Sequence, residues 1–225
     1  MISISDKTGH EGHFFLRNGN HSIIRYTRYS LALLLIFFFA ASLSAQSTDR
    51  TAKYRLRVLG MNIGEFTVNQ KIAGGDMRIE AITDVEVKII FTYRVKYIQK
   101  SLYREGSLWS SHVQTIKNGK LNSDMRLEKK DESSYLLVED GDTALVKGNI
   151  DYSGSLLYFN EPKQISYLYN ERSGEKKTLK AVADHTYVIV EGKEKKTNEY
   201  EYENGILARA LLIHPLATVH MERSR

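Results

Sequence analysis

Residues 85–97, VEVKIIFTYRVKY, decide the fold class of this chain because apolar side chains recur at every second position. The odd positions are Val85, Val87, Ile89, Phe91, Tyr93, Val95 and Tyr97. Most of the even positions are polar, among them Glu86, Lys88 and Arg94. A period of two is typical of a strand with one buried face, whereas a helix would spread these residues around its circumference. We therefore predict one continuous strand over Val85–Tyr97, with the length typical of a strongly curved sheet.

The chain from Thr51 onward consists of short runs rich in Val, Ile, Tyr, Thr and Phe, separated by turn dipeptides. The clearest turn signals are Gly74-Gly75, Asn118-Gly119, Asp140-Gly141 and Asn204-Gly205. Asn-Gly and Asp-Gly favour two-residue hairpins because both positions tolerate positive φ. Neither Pro162 nor Pro215 interrupts a run, as fully paired strands require. The pattern predicts an all-β domain, an antiparallel meander curved into a barrel or half-open barrel.

One segment breaks the alternation and predicts a short helix. Residues 151–160, DYSGSLLYFN, place three apolar side chains at i, i+4 and i+7, which are Tyr152, Leu156 and Phe159. These spacings put them on one helical face. Asp151 or Ser153 can cap the start, and Pro162 follows the end. We expect the helix to bury this stripe in the open end of the curved sheet.

The N-terminal part of the chain has the pattern of a secretory leader. Residues 31–46, LALLLIFFFAASLSAQ, follow the basic residues Arg25 and Arg28 and end in small side chains. This order is typical of a signal peptide, with cleavage between Ala45 and Gln46. The apolar run is too short for a stable membrane span, which needs about 20 residues. We predict an N-terminal extension and cleaved leader over 1–45, and a single β-rich domain over 46–225 in the periplasm or outside the cell.

Composition narrows the class of protein further. The chain has no cysteine, which excludes disulfides and a lipid-modified cysteine after the leader. Its 32 Lys and Arg are nearly balanced by 27 Asp and Glu, so we expect no nucleic-acid partner. Charged clusters at 175–177 and 193–196 fall at predicted hairpin tips. We interpret them as solvated turns, with a membrane-surface or anionic-partner patch as the alternative.

No motif for catalysis, metal binding or a cofactor is present. The histidines after the leader are His112, His185, His214 and His220, and none is spaced as a metal pair on one element. Ser153 lies outside a Gly-x-Ser-x-Gly turn. We therefore predict no catalytic residue, no metal and no cofactor. The enzymatic alternative is a hydrolase of unrecognised type, in which His112, His185 or His220 and acidic residues would have to meet in a cleft.

Aromatic side chains are the remaining functional signal. In a closed small barrel they would fill the core, and in a wider or half-open barrel they would line a pocket for an apolar ligand. The sequence leaves both interpretations open. The candidate ligand-binding residues are Phe91, Tyr93, Tyr97, Tyr152, Leu156 and Phe159.

Several segments resemble an exported bacterial envelope family, domain of unknown function 6134. They are residues 54–67, 157–162 and 184–187, and the C-terminal stretch 202–221. The turn Gly60–Gly64 and the segment Asp151–Phe159 are more faintly similar to domain of unknown function 3108. The resemblance implies a signal peptide, an all-β domain and an envelope address, and it assigns no activity or catalytic residue.

Together these observations favour a non-enzymatic exported protein that binds a lipid-like, apolar or amphipathic small molecule on a curved sheet. The alternative is a structural or interaction module, in which exposed strand edges or basic hairpin tips contact another envelope protein.

Overall fold

The computed structural model of the chain describes residues 48–88, 92–191, 195–214 and 217–224. The predicted leader and its cleavage site lie outside these ranges. The described residues form antiparallel strands and one short helical segment, which confirms the predicted all-β class. The strands are β1 (Thr48–Val58), β2 (Met61–Ala73), β3 (Asp76–Lys88), β4 (Thr92–Arg104), β5 (Ser107–Lys117), β6 (Lys120–Asp131), β7 (Ser134–Glu139), β8 (Asp142–Lys147), β9 (Tyr167–Tyr169), β10 (Lys176–Ala183), β11 (Thr186–Glu191), β12 (Lys195–Glu203), β13 (Ile206–His214) and β14 (Ala217–Arg223).

All strands belong to one 14-stranded sheet, in the order β8-β7-β6-β5-β4-β3-β2-β1-β14-β13-β12-β11-β10-β9. Two meanders, β1 to β8 and β9 to β14, are joined where β1 pairs with β14. Strands β8 and β9 form the ends of this order, so strand pairing does not close the sheet. This confirms the half-open alternative of the predicted architecture.

Antiparallel pairing places successive hairpin turns at alternate ends of the sheet. One end carries the β1–β2 turn, Leu59-Gly60, together with the β3–β4, β5–β6, β7–β8, β9–β10, β11–β12 and β13–β14 turns. We call this end the Leu59 rim. The opposite rim carries the β2–β3, β4–β5, β6–β7, β10–β11 and β12–β13 turns.

Alternating burial along each strand builds the core. In β1, Ala52, Tyr54 and Leu56 are buried, while the residues between them are exposed. Full burial of an aliphatic or phenylalanine side chain stabilises the fold by about 1.5–3 kcal/mol. Two buried tyrosine hydroxyls bond to backbone carbonyls: Tyr54 donates to Leu207 at 3.1 Å, and Tyr135 donates to Leu108 at 2.8 Å. The hydroxyl of Tyr202, also buried, has no partner among the described residues. The core is therefore apolar packing in which the hydroxyls of Tyr54 and Tyr135 are satisfied.

The prediction of one strand over Val85–Tyr97 is wrong, because the chain reverses between Lys88 and Thr92. Val85 pairs with Val95, and Val87 pairs with Tyr93. Each pair joins two odd-numbered residues, so both strands of the hairpin keep their odd positions on the same face. One long strand and this hairpin therefore show the same alternation of apolar and polar residues in the sequence. Residues 89–91, including Phe91, lie outside the described residues.

The predicted helix over Asp151–Asn160 is shorter and of another type. The structure has a 3-10 helix at Gly154–Tyr158. Ser153 precedes it in an extended conformation, pairs with Tyr169 in a parallel bridge and makes no side-chain capping bond. The Ser153 hydroxyl instead bonds to Glu171 and Tyr103, which holds the residues before the helix extended.

The predicted burial of Tyr152, Leu156 and Phe159 is confirmed. Within the part of the chain that the structure describes, no helix is long and apolar enough to cross a membrane.

Candidate functional site

A cavity of about 880 Å³ lies inside the curved sheet, toward the Leu59 rim. Its walls come from β1–β4, β9–β14 and the 3-10 helix, and they are largely apolar. The apolar lining residues are Leu56, Ile63, Phe66, Val85, Val95, Leu157, Leu168, Ile189, Leu212, Ile213, Val219 and Met221. Sites for small molecules typically measure about 300–1,000 Å³ and are mostly apolar. The interior is therefore not completely filled by side chains.

Tyrosines give the apolar wall a few hydrogen-bonding groups. Tyr97, Tyr158 and Tyr200 line the cavity, and the Tyr158 and Phe66 ring centroids are 5.0 Å apart. Burial raises the pKa of Tyr200 to about 12 and also raises the pKa values of Tyr97 and Tyr158. These hydroxyls remain protonated at neutral pH. Tyr97 donates its proton to Gln99 Oε1 at 2.9 Å, so it can only accept a hydrogen bond from a ligand. Tyr200 accepts from Asn198 Nδ2 at 3.2 Å, so its own proton can be donated to a ligand.

A buried carboxylate, Glu171, forms the polar part of the wall. Its side chain accepts hydrogen bonds from Gln99 Nε2 at 2.8 Å and from the Ser155 backbone N–H at 3.1 Å. The hydroxyls of Ser101 and Ser153 also donate to it. A buried charge is stable only when such donors replace water. Glu171 thus connects the β9–β10 segment and the 3-10 helix to the inner face of β4.

The same cluster extends to Tyr103, which is buried. Its hydroxyl bonds to Ser153 Oγ and lies 3.1 Å from Ser155 Oγ. Burial, and then the charge of Glu171, raise the pKa of Tyr103 well above its ordinary value. Among the described residues, no histidine stands between a serine and Glu171 to act as a general base. The bonds of Tyr103 to Ser153 and Ser155 join β4 to the 3-10 helix beside the cavity.

Basic side chains lie where the cavity meets the Leu59 rim. Arg172 is exposed and lines the cavity, next to the buried Glu171. Lys177 also lines it and pairs with Glu175 at 2.8 Å. The cavity is therefore amphipathic: apolar along its walls, with amide and tyrosine groups inside and cationic groups at its margin.

A second cavity, of about 730 Å³, lies toward the opposite rim between β1 and β6. Most of its lining side chains are charged or polar, including Arg50, Lys71, Arg78 and Glu128. Such walls are hydrated and oppose the entry of an apolar ligand. The larger cavity is the better candidate site for that class of ligand.

The family model of domain of unknown function DUF6134 matches residues 54–224 of the chain. The chain belongs to this family. A search of curated proteins finds no match. The likeness to domain of unknown function 3108 stays a prediction.

Among solved structures, this DUF6134 domain is similar to the crystal structure of a β-barrel-like protein of domain of unknown function DUF1849 from Brucella abortus. The two share 11% sequence identity with a TM-score of 0.51, over 81% of this chain and 98% of the other. At this identity the likeness supports the barrel-like fold alone.

Two of the segments that carry the resemblance meet at Glu161. His185 Nδ1 and the Tyr187 hydroxyl each lie 2.9 Å from Glu161 Oε1. Burial opposes ionisation of Glu161, yet the hydrogen bonds from His185 and Tyr187 lower its pKa. The contacts fasten the segment after the 3-10 helix to β11, at the opposite rim of the DUF6134 sheet.

The structure separates the predicted ligand-binding residues into groups. Tyr97 lines the cavity. Tyr93 is half-buried on β4 and is not part of the lining. Tyr152, Leu156 and Phe159 are buried in the core, and none of the three lines the cavity. Gly154, Leu157 and Tyr158, which lie between them in sequence, line it instead.

Sequence reasoning missed Glu171 and Gln99. Asn170, Glu171 and Arg172 have the composition of an exposed turn, so nothing local indicates that the carboxylate is buried. A partial signal existed in β4, where Gln99 and Ser101 continue the inward-facing odd positions after Tyr97. Polar residues on a buried face indicate a buried polar partner.

The histidines named in the hydrolase hypothesis do not converge. His112 Nε2 lies 2.8 Å from Asp124 Oδ1 between β5 and β6. His185 pairs with Glu161 at the opposite rim, and His220 is exposed on β14. None of them lines the 880 Å³ cavity. The described residues contain no group of three or more metal-ligating side chains.

Proposed function

We propose that the protein is exported and binds an apolar or amphipathic small molecule in the 880 Å³ cavity, without catalysing a reaction on it. The observation that carries the proposal is the cavity itself, because an open apolar interior is costly unless a ligand covers it. The leader-like sequence at residues 31–46 supports the proposed periplasmic or extracellular address.

The lining favours a molecule with a long apolar part and a polar end. The aliphatic and aromatic walls would cover a hydrocarbon chain, at about 25 cal/mol for each Å² removed from water. Arg172 at the margin and the tyrosine hydroxyls inside can bind an anionic or hydroxylated end. The separated histidines and the fully bonded Glu171 support binding in preference to catalysis.

The test is a fluorescence titration with dansyl-undecanoic acid, an anionic probe with a hydrocarbon chain. The Val95→Phe variant adds volume at a half-buried position on the cavity wall. We expect the wild type to bind the probe with a blue-shifted emission and Val95→Phe to bind it at least about tenfold more weakly. Val182→Phe, at an exposed site on β10, is the matched control and should bind as the wild type does.

Export is tested separately. Expression of the full chain in a Gram-negative host, followed by fractionation and mass spectrometry of the N-terminus, should place the protein outside the cytoplasm with Gln46 first. Retention of residues 1–45 would contradict the proposed address without affecting the binding proposal.

A second candidate function is an interaction module, and the sheet edge at β8 favours it. Among the described strands β8 has a partner only on its β7 side, and Leu145 on it is exposed. An unpaired edge can add a strand from another envelope protein. Lys147→Pro would block such pairing. Cross-linking in intact cells that gives the same partners for wild type and variant would contradict this alternative.

A further inference from the structure

Leu59 occupies the tip of the β1–β2 turn in a conformation that leucine disfavours. Its φ is 49° and its side chain is 87% exposed. Residues with short polar side chains tolerate positive φ better. Among the described residues, the other non-glycine hairpin positions with positive φ are polar: Glu105, Asn118, Asp140, His185 and Asn204. A leucine at this position contributes little burial to the stability of the isolated fold. Its side chain therefore indicates a surface that contacts an apolar partner.

Further apolar side chains lie exposed at the same rim. Met61 follows Leu59 at the start of β2 and is 62% exposed. Leu121 is exposed two residues after the β5–β6 turn, and Ile213 is exposed at the end of β13. Ile213 also lines the cavity, which connects this apolar rim to the candidate binding site.

The charge of the Leu59 rim favours an anionic surface. Lys117 and Lys120 flank the β5–β6 turn, and Arg172 lies at the cavity margin; all three are exposed. None of the three is in an ion pair with another described residue. Of the acidic residues at this rim, Glu86 and Glu175 are each paired with a basic side chain, and those of the β7–β8 turn are exposed without an ion pair to a described residue. The unpaired basic charge of Lys117 and Lys120 lies next to the apolar tip at Leu121.

From this juxtaposition we infer that the Leu59 rim docks onto a lipid bilayer that contains anionic lipids. Leu59 and Met61 enter the boundary between headgroups and acyl chains, and Lys117, Lys120 and Arg172 face the headgroups. Separate apolar tips mixed with basic side chains suit a lipid surface, which needs no complementary shape. The inference rests on the proposed function in one respect: the bilayer becomes the place where the cavity takes up or releases its ligand.

The experiment uses tryptophan reporters in protein purified after expression of the full chain. The sole tryptophan, Trp109, is first replaced by Phe. Leu59→Trp then reports on the Leu59 rim, and Val182→Trp reports on an exposed site near the opposite rim. Vesicles of phosphatidylethanolamine and phosphatidylglycerol are added to each. We expect a blue shift for Leu59→Trp, no shift for Val182→Trp, and a weaker response with phosphatidylcholine vesicles.

A sedimentation assay with the same vesicles gives a second measurement. The double variant Leu59→Asn, Met61→Ser should bind the vesicles at least about tenfold more weakly than wild type, because two apolar side chains are lost. It should still bind dansyl-undecanoic acid in the absence of vesicles. Val95→Phe should lose the probe and keep docking, so the failure of one proposal is distinguishable from the failure of the other.

Two outcomes would overturn the docking inference. One is an equal response, or no response, of the two tryptophan reporters to the anionic vesicles. The other is a blue shift of Leu59→Trp that depends on protein concentration without vesicles, since it would identify a second copy of the chain as the occupant of the rim.

Discussion

Replacing Glu171 by Gln should destabilise the protein far more than the same replacement of an exposed glutamate in this segment. The Glu171 side chain is 4% exposed and accepts hydrogen bonds at both oxygens. In Glu171→Gln one oxygen becomes an amide N–H₂ that faces two donors, so two bonds to a charged acceptor are lost. At about 1.5–3 kcal/mol for each bond, the expected decrease in the free energy of unfolding is about 3–6 kcal/mol.

The matched control is Glu175→Gln, four residues away in the same segment. Glu175 pairs with Lys177 at 2.8 Å, but its side chain is 60% exposed. Exposed pairs contribute about 0–1 kcal/mol, so this variant should stay within that range. Urea unfolding followed by circular dichroism measures both values. A loss for Glu171→Gln no larger than that for Glu175→Gln would refute the idea that Glu171 holds the cavity wall together.

Three further predictions concern the fold. Gly64→Ala should destabilise by roughly 3 kcal/mol or more in urea unfolding, because a Cβ there would clash with the Asp84 carbonyl oxygen; a near-neutral result would contradict the close approach of β2 and β3 at this point. Leu59→Asn should raise the free energy of unfolding by about 1 kcal/mol, and with it the thermal midpoint, because Asn tolerates positive φ. A lower midpoint would mean that Leu59 packs against the fold. The pKa of Glu161 is lowered in the fold, so its contribution to stability is present above its ordinary value of 4.5 and is lost as pH falls through the folded value. Urea unfolding at several pH values across this range should show the free energy of unfolding falling less steeply with decreasing pH for Glu161→Gln than for wild type. An identical pH dependence in the two proteins would count against the contact with His185.

The general architecture follows from the sequence because burial on one face of a strand imposes a period of two. The sequence could not locate the reversal between Lys88 and Thr92, since the hairpin register pairs odd residues with odd residues and preserves the alternation. No glycine, proline or asparagine stands at residues 89–91 to signal a turn. A local pattern therefore predicted the correct faces and the wrong number of strands.

The candidate site was predictable only in part. Tyr97 was found because it continues the inward face of its strand. Tyr152, Leu156 and Phe159 were expected on one face of an α-helix, but the segment is a 3-10 helix in which Gly154 and Leu157 line the cavity. Glu171 depends on donors from residues 16 to 72 positions away in sequence, which no local pattern records.

The central claim is that the cavity between β1–β4 and β9–β14 binds an amphipathic molecule. Methyl NMR spectra recorded while dansyl-undecanoic acid is added test it most directly. We expect saturable shifts for Val95, Leu157 and Val219, which line the cavity, and unchanged signals for Leu127 and Leu137, which are buried elsewhere. Shifts that are absent, or that are spread equally over both groups, would contradict it.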